Sequence, residues 1–222
     1  MREDRIEEMS LFFNDRADGY DSHMLGEMNL AEFYDAIEKC FEPVAKSVKL
    51  LDLGCGTGLE IEKVFNVYPD AEITAVDLSE NMLEKLKEKF VGRLSNINII
   101  CGSYFDVPLG VEAFEYVLST YSLHHFSHDD KTELYKRIHD ALKPGGRYIE
   151  GDYMAASMEE ENRCLEENRR IREELGLNEG FYHYDTPFTA ETQIRLLRQA
   201  GFHDIRVHKK WEHTTILICF KD

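Results

Sequence analysis

The sequence predicts an α/β fold: a mostly parallel sheet with helices on both faces. Three observations carry this. Strand-like apolar runs alternate with helical stretches from residue 48 to residue 151. The run Leu50-Leu51-Asp52-Leu53 passes straight into a glycine-rich turn, Gly54-Cys55-Gly56-Thr57-Gly58. The chain closes on two strand-like runs joined by a short polar link. The length of 222 residues fits one domain with a real core, taken as 1–222.

Two helices come first. Residues 5–18 place Ile6, Met9, Phe12 and Phe13 on one face. Residues 30–41 do the same with Phe33, Ile37 and Phe41, and Pro43 ends that helix. Gly19-Tyr20-Asp21-Ser22 reads as a polar turn between them. The alternating part follows. Its first strand covers 48–53, its second 73–77, its third 97–101, its fourth 114–119 and its fifth 147–151. The intervening helices cover 57–68, closed by Pro69-Asp70, then a stretch from the N-cap Ser79 to about Phe90, then 129–142. Lys143-Pro144-Gly145-Gly146 reads as a turn.

The alternation lapses over 157–185. A charged helix at 158–175 leads to Gly176 and to Phe181-Tyr182-His183-Tyr184. This is too long for a simple connection, so it reads as an insertion, 155–188 with its flanks, that serves as a lid. Residues 189–200 form the last helix, with Gly201 at its C′ position. Residues 205–211 and 215–220 then form an antiparallel hairpin.

Composition bounds the function. A net charge of −17 repels a phosphate backbone, and Arg169-Arg170 and Lys209-Lys210 are short and flanked by acids, so no nucleic-acid partner is expected. No apolar run approaches a membrane span, and Met1-Arg2-Glu3-Asp4-Arg5 lacks the apolar core of a signal peptide, which makes a cytoplasmic location the expectation. The 5 cysteines are scattered without a C-x-x-C pair, against both disulfides and a zinc site. His124, His125, His128, Asp129 and Asp130 lack a recognised ligand spacing, so no metal is expected. Oligomeric state is open, a homodimer included.

The glycine-rich turn gains meaning from Asp77, at the end of the second strand. A carboxylate there can accept both hydroxyls of an adenosine ribose. The G-x-G-x-G spacing differs from the G-x-G-x-x-G that seats a pyrophosphate on a helix N-terminus, which disfavours a nicotinamide oxidoreductase. The absence of G-K-[ST] excludes a P-loop.

In these features the chain resembles the class I S-adenosylmethionine-dependent methyltransferases. The resemblance runs from Tyr20 to the end. It rests on residues 50–58, on Val76-Asp77-Leu78-Ser79-Glu80-Asn81-Met82-Leu83, on Leu123-His124-His125-Phe126 and on Leu142-Lys143-Pro144-Gly145-Gly146. It implies a Rossmann-like three-layer sandwich whose seven-stranded sheet has the order 3-2-1-4-5-7-6, with strand 7 antiparallel. It implies S-adenosyl-L-methionine as cofactor and a small-molecule acceptor, with the helices of 1–45 and the insertion as lids.

The resemblance also implies residue roles. Gly54, Cys55 and Gly56 pass under the methionine and ribose. Asp52 orients the turn or reaches the ammonium through water, and Asp77 holds the ribose diol. Leu78 and Met82 sandwich the adenine. Ser119 offers its carbonyl, and Arg16 and Tyr20 close over the methionine carboxylate. Where the family often has Gly-Asp after the third strand, this chain has Gly102-Ser103; the Ser103 hydroxyl or the Tyr104 backbone takes that adenine contact.

Methyl transfer needs alignment, exclusion of water and, for an acceptor that must lose a proton, a base. His124 and His125, after the fourth strand, are the candidates, with Tyr121, Asp152 and Tyr153 around them and Phe181, Tyr182 and Tyr184 as acceptor-pocket residues. Two related readings use the same cofactor. One is an enzyme of the carboxymethyl type, with Arg195 or Arg198 holding the added carboxylate; the other is a non-catalytic cofactor-binding module.

Overall fold

A computed structural model describes residues 6–43, 47–177 and 180–222. The parts of the expected first helix and of both lids that fall on 1–5, 44–46 and 178–179 lie outside the described residues.

In chain order the elements are β1 (Glu7–Glu8), α1 (Met9–Asn14), a 3-10 turn, α2 (Tyr20–Ser22), a π turn (His23–Glu27), α3 (Ala31–Glu38), β2 (Lys49–Leu53), α4 (Leu59–Val67), β3 (Glu72–Asp77) and α5 (Glu80–Lys89). Then come β4 (Ile97–Cys101), β5 (Phe114–Thr120), α6 (His128–Ala141), β6 (Leu142–Tyr153), α7 (Met158–Leu175), β7 (Tyr182–His183), α8 (Ala190–Gln199), β8 (Asp204–Lys210) and β9 (Thr214–Phe220). The main sheet runs β4-β3-β2-β5-β6-β9-β8, and β9 is antiparallel to both its neighbours. This is the order 3-2-1-4-5-7-6 with strand 7 reversed.

The strands are apolar on both faces because both are covered. Leu50, Ala75, Leu118, Ile149 and Ile218 face a core completed by Phe33, Ile37, Ile61, Val64 and Leu86, from α3, α4 and α5. Their neighbours Leu51, Val76, Val117, Tyr148 and Leu217 face the opposite core, completed by Leu134, Tyr135, Ile138, Leu196 and Leu197 from α6 and α8. One-residue alternation thus divides each strand between two cores. Each such buried aliphatic side chain stabilises the sandwich by roughly 1.5–3 kcal/mol.

Local signals act as expected at several helix ends. Ser79 caps α5, its hydroxyl accepting from Met82 N–H. Ser127 and Asp130 form a reciprocal capping box on α6. Two expectations are corrected. The polar turn at Gly19-Tyr20-Asp21-Ser22 is helical, passing from 3-10 through α to π winding, because Tyr20 packs inward against the core and Asp21 is tied to α5 and the glycine turn. Lys143-Pro144-Gly145-Gly146 is a bulge inside β6, where Phe114↔Leu142 and Tyr116↔Arg147 both stay paired.

The expected first helix is also interrupted. Glu7 and Glu8 leave it to pair antiparallel with His183 and Tyr182 of the insertion, and Met9 N–H donates to the Phe181 carbonyl at 3.0 Å. The N-terminal segment and the insertion therefore form one joined roof over the ends of β2, β3 and β5.

Candidate active site

The floor of the site is the turn after β2. Gly54, Gly56 and Gly58 have φ of 76°, 48° and 80°, the left-handed region open to glycine. At Gly54 the requirement is also steric, since a Cβ there would lie 2.0 Å from Ser122 Oγ. Asp77, at the end of β3, reaches across to this turn. Its Oδ2 accepts from Gly56 N–H at 2.8 Å and its Oδ1 from Ser79 N–H at 2.8 Å. Burial raises its pKa, and the bonds from Ser79, Gly56 and Leu78 work against the rise.

A narrow cleft follows this floor. Gly54, Gly56, Asp77, Leu78, Met82 and Tyr104 line it with Met9, Phe13, Tyr20, Tyr121 and Ser122. Leu78 and Met82 present the apolar wall beside Asp77. Other expected residues stand behind that lining. Asp52 is fully buried, its carboxyl beside that of Glu60. Burial first, then the charge of Glu60, holds its pKa well above the usual carboxylate range. The Cys55 side chain belongs to the core. The Ser103 hydroxyl is turned back to accept from Phe105 N–H at 3.1 Å. The Ser119 hydroxyl bonds Tyr148 at 2.8 Å inside the sheet, and β5 continues one residue further, to Thr120. Tyr121 and Ser122 stand at the strand end instead. Tyr121 has φ of 46°, a strained conformation for a bulky residue, and its hydroxyl is held by Thr214 at 2.7 Å.

Through Phe13, Tyr20 and Tyr121 the cleft adjoins a larger cavity of about 640 Å³. Phe12, Phe13, Tyr20 and Tyr121 give it aromatic walls; Arg16, His124, His125, His183 and Asp185 give it polar ones. Arg16 is held by the Phe12 carbonyl at 2.9 Å and by Glu7 at 3.6 Å, with its guanidinium over the Phe12 ring.

His124 Nδ1 lies 2.6 Å from Asp152 Oδ1. Asp152 is itself fixed by Leu123 N–H at 3.0 Å and Tyr153 N–H at 2.8 Å. Burial alone would lower the His124 pKa; the Asp152 charge and hydrogen bond, aided by Asp185, outweigh it and leave the pKa raised. Burial, with the positive charges of His124 and His183 nearby, pushes His125 well below the ordinary histidine value. Burial also brings His183 down to about 4, against the pull of Asp185.

Several site residues carry no motif in the sequence. Asn14 accepts from Ser79 Oγ at 2.7 Å and from Asn81 N–H at 3.2 Å, tying the roof to the helix that follows Asp77. Asp18–Lys85 at 2.8 Å and Asp21–Lys89 at 2.6 Å add to that latch. In the insertion, His183 and Asp185 line the cavity, whereas Phe181 packs on Phe105 and Phe126. Tyr182 lines a separate surface cleft, and Tyr184 lines neither the narrow cleft nor the large cavity. Strand alternation at β7 sends Tyr182 and His183 opposite ways, which the apolar pattern alone does not reveal.

Comparison with known proteins agrees with this geometry. Residues 50–146 match the family described as the methyltransferase domain. That segment carries the methyltransferase domain, and the sheet order built around it is the fold of S-adenosylmethionine-dependent methyltransferases. It is 23% identical over 191 residues to a carboxy-S-adenosyl-L-methionine synthase of Campylobacter fetus, covering 80% of this chain and 79% of that one. It is 35% identical over 109 residues to a demethylmenaquinone methyltransferase of Staphylococcus aureus, covering 48% of this chain and 43% of that enzyme. Its fold is shared with a SAM-dependent methyltransferase of Thermotoga maritima: TM-score 0.65, 20% identity, 96% of this chain and 99% of that one.

Proposed function

We propose that this protein transfers the methyl group of S-adenosyl-L-methionine to a small-molecule acceptor held in the larger cavity. The observation that carries this is the shared wall of Phe13, Tyr20 and Tyr121, which joins the Asp77 cleft to the histidine-lined cavity. The Asp77 carboxylate has lone pairs beyond the two already used, enough for a ribose diol. Leu78 and Met82 suit an adenine face. Gly54 and Gly56 admit the rest of the cofactor close to the backbone, with Arg16 and Tyr20 above it.

The acceptor sits with its nucleophilic atom near His124 and His125. In the reaction the acceptor–carbon bond forms as the sulfur–methyl bond breaks, and sulfur keeps the electron pair. The acceptor's proton leaves toward the histidines. With Nδ1–H donated to Asp152, His124 turns the lone pair of Nε2 to the cavity. Aromatic walls beside three imidazoles favour a planar, apolar-bodied acceptor with an ionisable hydroxyl or nitrogen. The N-terminal segment and the insertion act as the lid over one catalytic domain. A cytoplasmic setting accords with this reading; among the described residues no helix is long and apolar enough to cross a membrane.

A second reading, the carboxymethyl type, draws on the carboxy-S-adenosyl-L-methionine synthase likeness. Arg195 and Arg198 are exposed on α8 and line neither the cleft nor the cavity, so Arg16 is the cation available to an added carboxylate. Calorimetry with S-adenosylmethionine and S-adenosylhomocysteine, followed by mass spectrometry of nucleoside that co-purifies, tests both readings. Binding of both compounds with a methylated acceptor formed in turnover assays supports methyl transfer. A carboxylated sulfonium as the co-purified species supports the second reading. Binding of a pyrophosphate-bridged nucleotide in place of either compound overturns both.

A further inference from the structure

We propose that His124, His125 and Asp185 bind one divalent first-row cation of the zinc type, in the wall of the acceptor cavity, with His183 beside them. One ligand atom from each of His124, His125 and Asp185 lies within 4.8 Å of the others. Asp185 Oδ1 is 3.3 Å from His125 Nδ1, 3.6 Å from His124 Nε2 and 3.9 Å from His183 Nε2. Around a tetrahedral zinc ion with bonds of about 2.0–2.1 Å, neighbouring ligand atoms stand roughly 3.3 Å apart. Small side-chain movements therefore convert this cluster into a coordination shell. The donor set, imidazole with one carboxylate, suits zinc, iron or cobalt rather than magnesium or calcium.

Three further observations point to a cation rather than to ordinary packing. The first is the support behind His124. Asp152 holds its Nδ1 at 2.6 Å and is pinned by two backbone N–H groups, the arrangement that fixes the tautomer and direction of metal-binding histidines. That tautomer turns the Nε2 lone pair toward another electron-rich atom, Asp185 Oδ1. Two such donors repel each other unless a proton or a metal cation stands between them. The second is His125, whose side chain is 1% exposed: its Nδ1 stands 3.3 Å from Asp185 Oδ1 and 3.4 Å from the Tyr184 carbonyl, and its Nε2 has no hydrogen-bond partner among the described residues. The third is rigidity. The Thr186 N–H and hydroxyl both donate to the His124 carbonyl, at 2.7 and 3.2 Å, locking the insertion that carries Asp185 to the segment that carries the histidines. His183 is stacked flat on Phe12.

The Asp185 side chain is 49% exposed and lines the cavity, so a cation here keeps a position open to the acceptor. This deepens the methyl-transfer reading and rests on it for where the acceptor lies. An acceptor hydroxyl or ring nitrogen bound to the cation loses its proton to water and keeps the lone pair that attacks the methyl carbon. His124 then serves as a ligand rather than as the proton acceptor.

The test uses the full chain stripped with chelator. Zn²⁺ is titrated by calorimetry and Co²⁺ by visible absorption; S-adenosylmethionine affinity is measured on the same samples. The expected result is one Zn²⁺ per chain and a Co²⁺ spectrum of low-symmetry nitrogen–oxygen coordination. Asp185→Asn and His125→Ala should each weaken Zn²⁺ binding by about tenfold or more. His203→Ala and His208→Ala, away from the cavity, should leave it unchanged. Cofactor affinity retained in every variant shows that the fold has held. No saturable Zn²⁺ uptake below about 100 μM, or uptake indifferent to both cluster variants, overturns the proposal. If cofactor still binds in that case, methyl transfer with His124 as proton acceptor stands alone.

Discussion

Asp77 Oδ2 accepts a hydrogen bond from Gly56 N–H at 2.8 Å, so the carboxylate that ends β3 also fastens the turn that follows β2. One side chain thus shapes the floor of the cleft and offers acceptors to what lies on it. Asp77→Ala removes both functions. The expected outcome is a loss of about 100-fold in S-adenosylmethionine affinity, or ~2.7 kcal/mol, typical of losing hydrogen bonds to a charged acceptor. Asp77→Asn keeps one carbonyl oxygen and should lose less. Calorimetry on both variants checks the order, and wild-type affinity in the alanine variant would remove Asp77 from the cofactor site.

His124→Ala separates binding from chemistry. His124 lines the larger cavity and not the narrow cleft. Turnover should fall by roughly 10²–10⁴ whether His124 takes the acceptor's proton or holds the cation that acidifies it, while cofactor affinity stays within about threefold of wild type. Asp152→Asn should follow the same pattern more weakly, since it leaves the imidazole present but without its charged partner at Nδ1. Equal turnover in wild type and both variants would exclude this face of the cavity from the reaction.

What the sequence disclosed and what it concealed have physical reasons. The sheet was legible because each strand is a short apolar run between strong punctuation, and because β2, buried on both faces, leaves little room for polar residues. Gly54 and Gly56 were legible because a left-handed backbone restricts residue type there, and Asp77 because a carboxylate ends the second strand; Leu78 and Met82 were named through the family resemblance. Tyr104 and Tyr20 also reach the cleft. Ser119 and Ser103 were named through the family resemblance; that the Ser119 hydroxyl turns into the sheet and the Ser103 hydroxyl back to Phe105 N–H are contacts the sequence does not display. Asn14, His183 and Asp185 were hidden for another reason. Each acts through a partner far away in sequence, and the pairing of β1 with β7 that brings them together involves two residues per strand. A pairing that short has no detectable period.

Gly54→Ala tests the steric argument for the turn. The added Cβ would meet Ser122 Oγ at 2.0 Å and Cβ at 2.7 Å, at a φ of 76°. Ser122 also contacts the Tyr104 hydroxyl at 3.1 Å, so the disturbance spreads along the cleft wall. A destabilisation of about 1–3 kcal/mol is expected from the backbone conformation alone, with loss of cofactor binding beyond that. Gly92→Ala is the control, because nothing lies within 4 Å of its added Cβ. Thermal unfolding with and without S-adenosylhomocysteine measures both effects. Equal melting temperatures for the two variants would show that the turn tolerates a side chain.

The buried carboxyl pair below the turn predicts a pH dependence of stability. Burial raises the pKa of Glu60 from its ordinary 4.5 to about 7, opposed by its own backbone N–H, Thr120 and Lys89 and assisted by Asp77. Asp52 beside it is raised in the same direction. Between about pH 4.5 and 7 the folded protein therefore holds protons that the unfolded chain releases. Stability from this source is greatest below that window, falls as pH rises through it and levels off above it. Glu150, also raised to about 7 by burial, adds to the slope, while buried His125 and His183, with lowered values, oppose it. The diagnostic quantity is consequently a difference between two proteins. Glu60→Gln keeps the shape and removes the titration. Urea midpoints at pH 5 and pH 8 should show wild type losing on the order of 1–3 kcal/mol more than the variant across that interval. If the two lose the same amount, Glu60 is ionised in the folded protein throughout, and Lys89 and Thr120 hold its charge against the cost of burial.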